Sequence, residues 1–197
     1  MMEKSEIELA LEPIINVFDE MGISYYLCGS LASSAYGLSR TTQDIDLVSD
    51  ISTDHVNSFV EKLKEKYFID AEMISDAIKS ETSFNLIHLD TMFKIDIFIL
   101  KEDPYSKESF NRIQEDSLDQ GKNSLKIFIS SPEDVILSKL IWFKLGNEIS
   151  ERQWLDVLGV IKIQGDNLDK EYLIQWAKQK DIYDLLRKAF KECDYQI

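Results

Sequence analysis

Tyr25-Tyr26-Leu27-Cys28-Gly29-Ser30, resumed at Tyr36-Gly37-Leu38-Ser39-Arg40-Thr41-Thr42-Gln43-Asp44-Ile45-Asp46-Leu47-Val48, is the stretch whose reading decides the fold. Ile23 to Cys28 is a short β-prone run, Gly29-Ser30 a turn, and Leu31 to Tyr36 a small-residue helix closed by Gly37. Asp44 to Val48 is a second strand. Its two acids are two residues apart, so both carboxylates leave the same side of the sheet. Adjacent anions on an apolar strand are costly unless a cation sits between them, and hard oxygen ligands select Mg²⁺ or Mn²⁺. Gly29-Ser30, between a strand and a helix, offers backbone N–H groups, a hydroxyl and a favourable dipole for phosphate.

Outward from that stretch, Ser5-Glu6-Ile7-Glu8 has capping-box spacing, and apolar residues run from there to Met21 before Gly22 offers a stop. Pro13 interrupts the run, which predicts a kink or two short helices. Ser52-Thr53-Asp54 caps a helix whose stripe is Val56, Phe59, Val60, Leu63 and Tyr67. Phe84–Leu89 and Met92–Leu100 read as a hairpin around Asp90-Thr91, and Leu125–Ile129 as a further strand. From Ser131 the pattern turns helical. Ser131 with Pro132, Glu133 and Asp134 is a start signal, Gly146 a stop, and residues 150–163, 169–179 and 182–193 supply three more helices. This sequence of elements predicts an α/β (α+β) class, with a mixed core over residues 1–130 and a helical C-terminal region over 131–197 packed on it.

The chain has 197 residues, 44% of them hydrophobic and 29% charged, with 7 Gly and 3 Pro, which excludes disordered, collagen-like and repeat-linker classes. No apolar run reaches the roughly 18 residues of a membrane-spanning helix, and the acidic N-terminus does not read as a secretory signal; a cytoplasmic protein away from membranes is expected. Cys28, Cys193, His55 and His88 have no zinc-type spacing, and the two cysteines form no disulfide framework. The net charge of −14 argues against a broad hold on a nucleic-acid backbone. It is unevenly spread: residues 1–100 carry 7 basic and 18 acidic side chains, residues 101–197 carry 15 and 18. A polyanionic ligand of the first half therefore needs metal ions or local donors.

Gly29-Ser30, a short helix, then Asp44-x-Asp46 on the next strand resembles the nucleotidyltransferase-fold superfamily, and within it the AbiEii-like toxins of type IV toxin–antitoxin systems. The helical segment adds Pro132-Glu133-Asp134, Lys139, Arg152 and Asp156. The resemblance implies an Mg²⁺- or Mn²⁺-dependent enzyme on a mixed nucleotidyltransferase-like sheet. It implies that Asp44 and Asp46 hold the metal, that Gly29 and Ser30 bind the terminal phosphates of a nucleoside triphosphate, and that an acceptor hydroxyl attacks the α-phosphate with release of pyrophosphate. A third acid is usual. Asp96, alternating away from Ile95, Ile97 and Ile99, is the candidate catalytic and metal-binding residue. In the toxin-like branch Lys139 and Asp156 serve the nucleotide site as well.

Simpler readings stand beside these. Lys139 projects from an apolar stripe of Val135, Ile136, Trp142 and Phe143, so it needs an anionic partner, which is a triphosphate or a structural carboxylate such as Asp156. Arg40 either contacts phosphate or anchors the loop before Asp44. His55 and His88 read as structural. Trp142, Trp154 and Trp176 read as packing, unless an exposed one stacks a base. The acceptor is an RNA end, a protein or a small molecule as in the antibiotic-modifying branch; the toxin-like members bring an antitoxin partner into question. A third alternative is a nucleotide- or partner-binding module without turnover.

Overall fold

The computed structural model describes residues 4–38, 41–42, 44–118 and 125–197. Arg40, one of the expected phosphate contacts, lies outside the described residues. Contacts group the chain into two units, one of Met1–Leu27 with Gln43–Ile129 and the other of Cys28–Thr42 with Ser130–Ile197.

The first unit holds a seven-stranded mixed sheet: β1 (Tyr25–Leu27), β2 (Asp44–Ser49), β3 (Tyr67–Phe68), β4 (Ser83–His88), β5 (Lys94–Ile99), β6 (Gln114–Ser117) and β7 (Lys126–Ile129). Their order across the sheet is β3-β4-β5-β2-β1-β7-β6, with β2 parallel to β5 and β1 parallel to β7. Strict alternation explains the two faces of its centre. Ile45, Leu47, Ile95, Ile97, Phe84 and Leu86 are all at most 2% exposed, while the residues between them are half-buried or exposed. The hairpin forms as expected, β4 against β5 with Asn85 opposite Asp96.

Helix α1 (Glu6–Met21) starts on a complete capping box, in which Ser5 Oγ accepts from the Glu8 amide at 3.2 Å and Glu8 accepts from the Ser5 amide at 3.0 Å. It ends at Gly22, whose φ of 67° is the left-handed turn that a side chain resists. Pro13 does not divide it, correcting the expected break. Ala10, Leu11, Ile14 and Phe18, fully buried before and after Pro13, hold both halves against the same core, and that packing outweighs one lost hydrogen bond. The aromatic core runs from α1 into the sheet: Phe18 stacks on Tyr25 at 5.3 Å and on Phe59 of α3 (Val56–Leu63) at 5.4 Å, and Phe59 meets Phe84 edge-on at 6.4 Å. Truncating any of the three phenylalanines to Ala would cost about 3–5 kcal/mol.

Several elements were not expected: β3, α4 (Ala71–Ser80), α5 (Pro104–Asn111) and β6. Tyr67 belongs to β3 and not to the preceding helical stripe; its hydroxyl donates to the Ala10 carbonyl at 2.8 Å, tying the strand to α1. The β6 residues are all exposed, so no apolar alternation marked them in the sequence.

The second unit contains α2 (Gly29–Tyr36), α6 (Pro132–Leu145), α7 (Glu151–Gln164), α8 (Lys170–Gln179) and α9 (Tyr183–Glu192). Gly37 lets α2 lie on α7: a Cβ there would sit 2.9 Å from both the Ser33 carbonyl oxygen and the Val160 amide nitrogen. Gln164 Nε2 donates to the Tyr36 carbonyl at 2.9 Å across the same contact. Ser131 caps α6, accepting from the Asp134 amide and donating to the Asp134 carboxylate at 2.7 Å; the other Asp134 oxygen accepts from Tyr172 Oη at 2.7 Å. This satisfied buried network fixes α8 against α6. Trp176 is buried, as expected of packing, but Trp142 is 54% exposed and is not part of the core. No helix among the described residues is long and apolar enough to cross a membrane.

Candidate active site

On the sheet, parallel pairing of β2 with β5 places Asp44 opposite Lys94 and Asp46 opposite Asp96. Register partners in neighbouring strands share a face, and alternate residues of one strand do too, so Asp44, Asp46, Lys94 and Asp96 all leave one side. Strands lie about 4.8 Å apart and alternate residues about 6.7 Å apart along a strand, which sets the scale of this carboxylate group. The opposite side of the same strands is the buried aliphatic layer of Ile45, Leu47, Ile95 and Ile97. A rigid apolar layer beneath thus fixes the directions of the charged side chains above it.

The Lys94 ammonium donates to Asp96 Oδ2 at 2.7 Å. That hydrogen bond, and the charges of Asp96, Asp44 and Asp46, raise the Lys94 pKa above its ordinary value against the opposing effect of desolvation. The side chain of Lys94 is 46% exposed and that of Asp96 19%. Lys94 was not singled out in the sequence, although its position two residues before Asp96 already puts both on one face. Asn85, opposite Asp96 on β4, joins the same face as a neutral neighbour.

Three carboxylates with oxygen donors only suit Mg²⁺ or Mn²⁺ and not a thiolate- or imidazole-seeking metal. Among the described residues no three His, Cys, Asp or Glu side chains are gathered as a closed metal cluster. The acids share a face, and the cation drawn among them is Lys94. Three carboxylates are the donor chemistry that a hard divalent ion takes, and as placed they share a face without gathering about one point.

In the second unit, Gly29 opens α2 with φ of 59°, a conformation that glycine adopts without a Cβ penalty, directly after Cys28 at the N-cap. The amides of the first turn have no intrahelical acceptor by construction, which is the property that favours phosphate. Ser30 is 7% exposed, and Arg152 of α7 donates from Nη2 towards its Oγ at 3.5 Å. A guanidinium therefore stands at the start of α2. Lys139 and Asp156 are joined at 2.8 Å with side chains 8% and 7% exposed, so each has the other as partner. Both histidines serve local structure: His55 Nδ1 accepts from the Ser52 amide at 3.1 Å, and His88 Nδ1 lies 2.8 Å from Thr91 Oγ1 in the β4–β5 turn.

A mixed sheet with Asp44 and Asp46 on β2 and Asp96 on the parallel neighbour β5 matches nucleotidyltransferase-like folds among solved structures. The antibiotic-resistance factor ANT(2'')-Ia, in complex with adenylyl-2''-tobramycin, superposes with a TM-score of 0.56 at 11% identity, covering 89% of this chain and 99% of that one. Its solution structure gives 0.52 at 14%, covering 93% and 96%. An antigenic nucleotidyltransferase-like protein from Paracoccidioides brasiliensis gives 0.52 at 15%, covering 98% and 95%. At these identities the likeness is one of fold. No protein-family model matches the sequence, and no curated protein matches it.

Proposed function

We propose that this chain is a nucleotidyltransferase that moves a nucleoside monophosphate from a nucleoside triphosphate to an acceptor hydroxyl. The observation that carries the reading is the register of Asp46 against Asp96, with Asp44 two residues from Asp46 on the same face. In this reading Asp44, Asp46 and Asp96 hold Mg²⁺ or Mn²⁺, which when bound neutralises developing charge on the phosphate oxygens. Asp96 takes the proton of the acceptor hydroxyl as its oxygen bonds to the α-phosphorus, and pyrophosphate departs with the electrons of the broken P–O bond. Gly29 and Ser30 bind the terminal phosphates through the first-turn amides and the hydroxyl, with Arg152 beside Ser30 as a further donor. Lys139 serves the nucleotide through Asp156, by holding that carboxylate in place. The chain acts in the cytoplasm.

The acceptor in this reading is an RNA end, as in the AbiEii-like toxins, with a cognate antitoxin as protein partner. Support comes from α9, where Arg187, Lys188 and Lys191 line a hollow of about 540 Å³ together with Asp184 and Tyr195, a lining with more basic than acidic side chains in a protein of net charge −14. A second reading, transfer to a small molecule, is favoured by the fold likeness to ANT(2'')-Ia, whose complex holds adenylyl-2''-tobramycin.

The deciding experiment offers each α-labelled nucleoside triphosphate with Mg²⁺ to the protein together with total cellular RNA, and separately with aminoglycosides. Label on RNA supports the first reading and label on the small molecule the second. No transfer to either, together with no Mg²⁺-dependent nucleotide binding by calorimetry, overturns the proposal.

A further inference from the structure

The face that carries Asp44, Asp46 and Asp96 has its own cation. Among the described residues of β2, β4 and β5, Lys94 is the one base on that face; it is the register partner of Asp44 and donates to Asp96 at 2.7 Å. We propose that Lys94 is a built-in counter-ion that occupies the carboxylate face of the metal-free protein and is displaced from Asp96 when a divalent cation binds. The inference rests on the reading of these acids as metal ligands and adds a positioning residue to it.

Three anions spaced as adjacent strands space them repel one another, and the buried layer of Ile45, Leu47, Ile95 and Ile97 beneath leaves the strands no freedom to separate. A cation beside them lowers that repulsion. Lys94 supplies that charge through a flexible stem anchored on the sheet itself, and a side chain 46% exposed can swing away into solvent at little cost. The ammonium takes one lone pair of Asp96 Oδ2 and leaves Oδ1 open, so the competition with a divalent ion is one of charge: two cations drawn to the same carboxylate repel, and the tethered ammonium is the one that can swing out to water. Even after displacement, a positive charge tethered a few ångströms away opposes the incoming ion. Lys94 thereby stabilises the empty site and weakens the filled one.

The test is direct Mn²⁺ binding to metal-free protein at low ionic strength, followed by electron paramagnetic resonance, with melting temperatures read in parallel. Lys94→Gln, which removes the charge and keeps much of the stem, should bind Mn²⁺ about tenfold more tightly than the natural protein and melt lower in the absence of metal. Lys94→Arg, which keeps the charge, should bind as the natural protein does. Unchanged or weaker Mn²⁺ affinity in Lys94→Gln, while the natural protein binds Mn²⁺, overturns the counter-ion role and leaves the metal reading intact. Absence of Mn²⁺ binding in the natural protein and in both variants overturns the metal reading and the inference with it. If Lys94→Gln alone binds, competition by Lys94 is supported in its strongest form.

Discussion

Asp46 and Asp96 are direct register partners on the parallel strands β2 and β5, and their carboxylates leave the same face of the sheet. Like charges placed opposite each other across strands destabilise by about 0.2–1 kcal/mol. Asp46→Asn should therefore leave the melting temperature of the metal-free protein unchanged or slightly raised. Asp96→Asn, which removes the proton acceptor, should lower the turnover of nucleotidyl transfer about 100-fold or more. Calorimetric melting and a pyrophosphate-release assay check the two halves. A clear loss of stability in Asp46→Asn would mean that the carboxylate has a structural role.

The pair of Lys139 and Asp156 is nearly excluded from water. Lys139→Met leaves the Asp156 carboxylate buried without its partner, at an expected cost of about 3–5 kcal/mol. Lys139→Met combined with Asp156→Leu should recover most of that loss, because neither charge then remains buried. Guanidinium titration of the single and double variants reads the difference. Additive losses would show that the two side chains act independently.

Gly37 has φ of −134°, so conformational freedom is not what the position requires. Space is: an added Cβ would fall 2.9 Å from backbone atoms of Ser33 and Val160, neither of which can rotate away. Gly37→Ala should lower stability by about 1–3 kcal/mol, seen as a lower urea midpoint at unchanged slope.

His88 is 3% exposed, and burial, aided by the nearby charge of Lys66, pulls its pKa below the ordinary 6.5 against the opposing pull of Asp90. The folded state thus prefers the neutral ring, whose Nδ1 accepts from the Thr91 amide at 3.4 Å. As pH falls through 6.5 the unfolded chain takes up the proton first, so this contribution is full above 6.5 and is lost on going down towards the folded value. Melting temperature should fall between pH 7 and pH 5, and His88→Asn should flatten that fall. An equal slope in both proteins would assign the acid sensitivity to other groups.

Periodicity and end signals made several elements legible in the sequence. Ser5 with Glu8, Gly22, and Ser131 with Pro132 act within one turn of chain, and alternation along Ile45–Ser49 and Ile95–Ile99 needs nothing beyond the strand itself. Exposed strand β6 carried no such signal, and α4 and α5 were not read. Pro13 was read by its local cost alone, which the packing of Ala10, Leu11, Ile14 and Phe18 outweighs. Trp142 reads as packing from its core-like position on the helix, with base stacking as the alternative for an exposed Trp, and it is 54% exposed.

For the candidate site, the sequence by itself determined that Asp44 and Asp46 share a side and that Lys94 and Asp96 share a side, because alternation is a property of one strand. It did not determine that these are the same side. That follows from the pairing of β2 with β5, residues some 50 positions apart in the chain, and a slip of one residue would have turned Asp96 into the aliphatic layer. Tertiary structure likewise decided that Lys139 meets Asp156 and that Arg152 stands beside Ser30, 122 residues away. Helical pattern fixes which face a residue occupies, but the partner on the facing helix is chosen by packing, which no single segment of sequence contains.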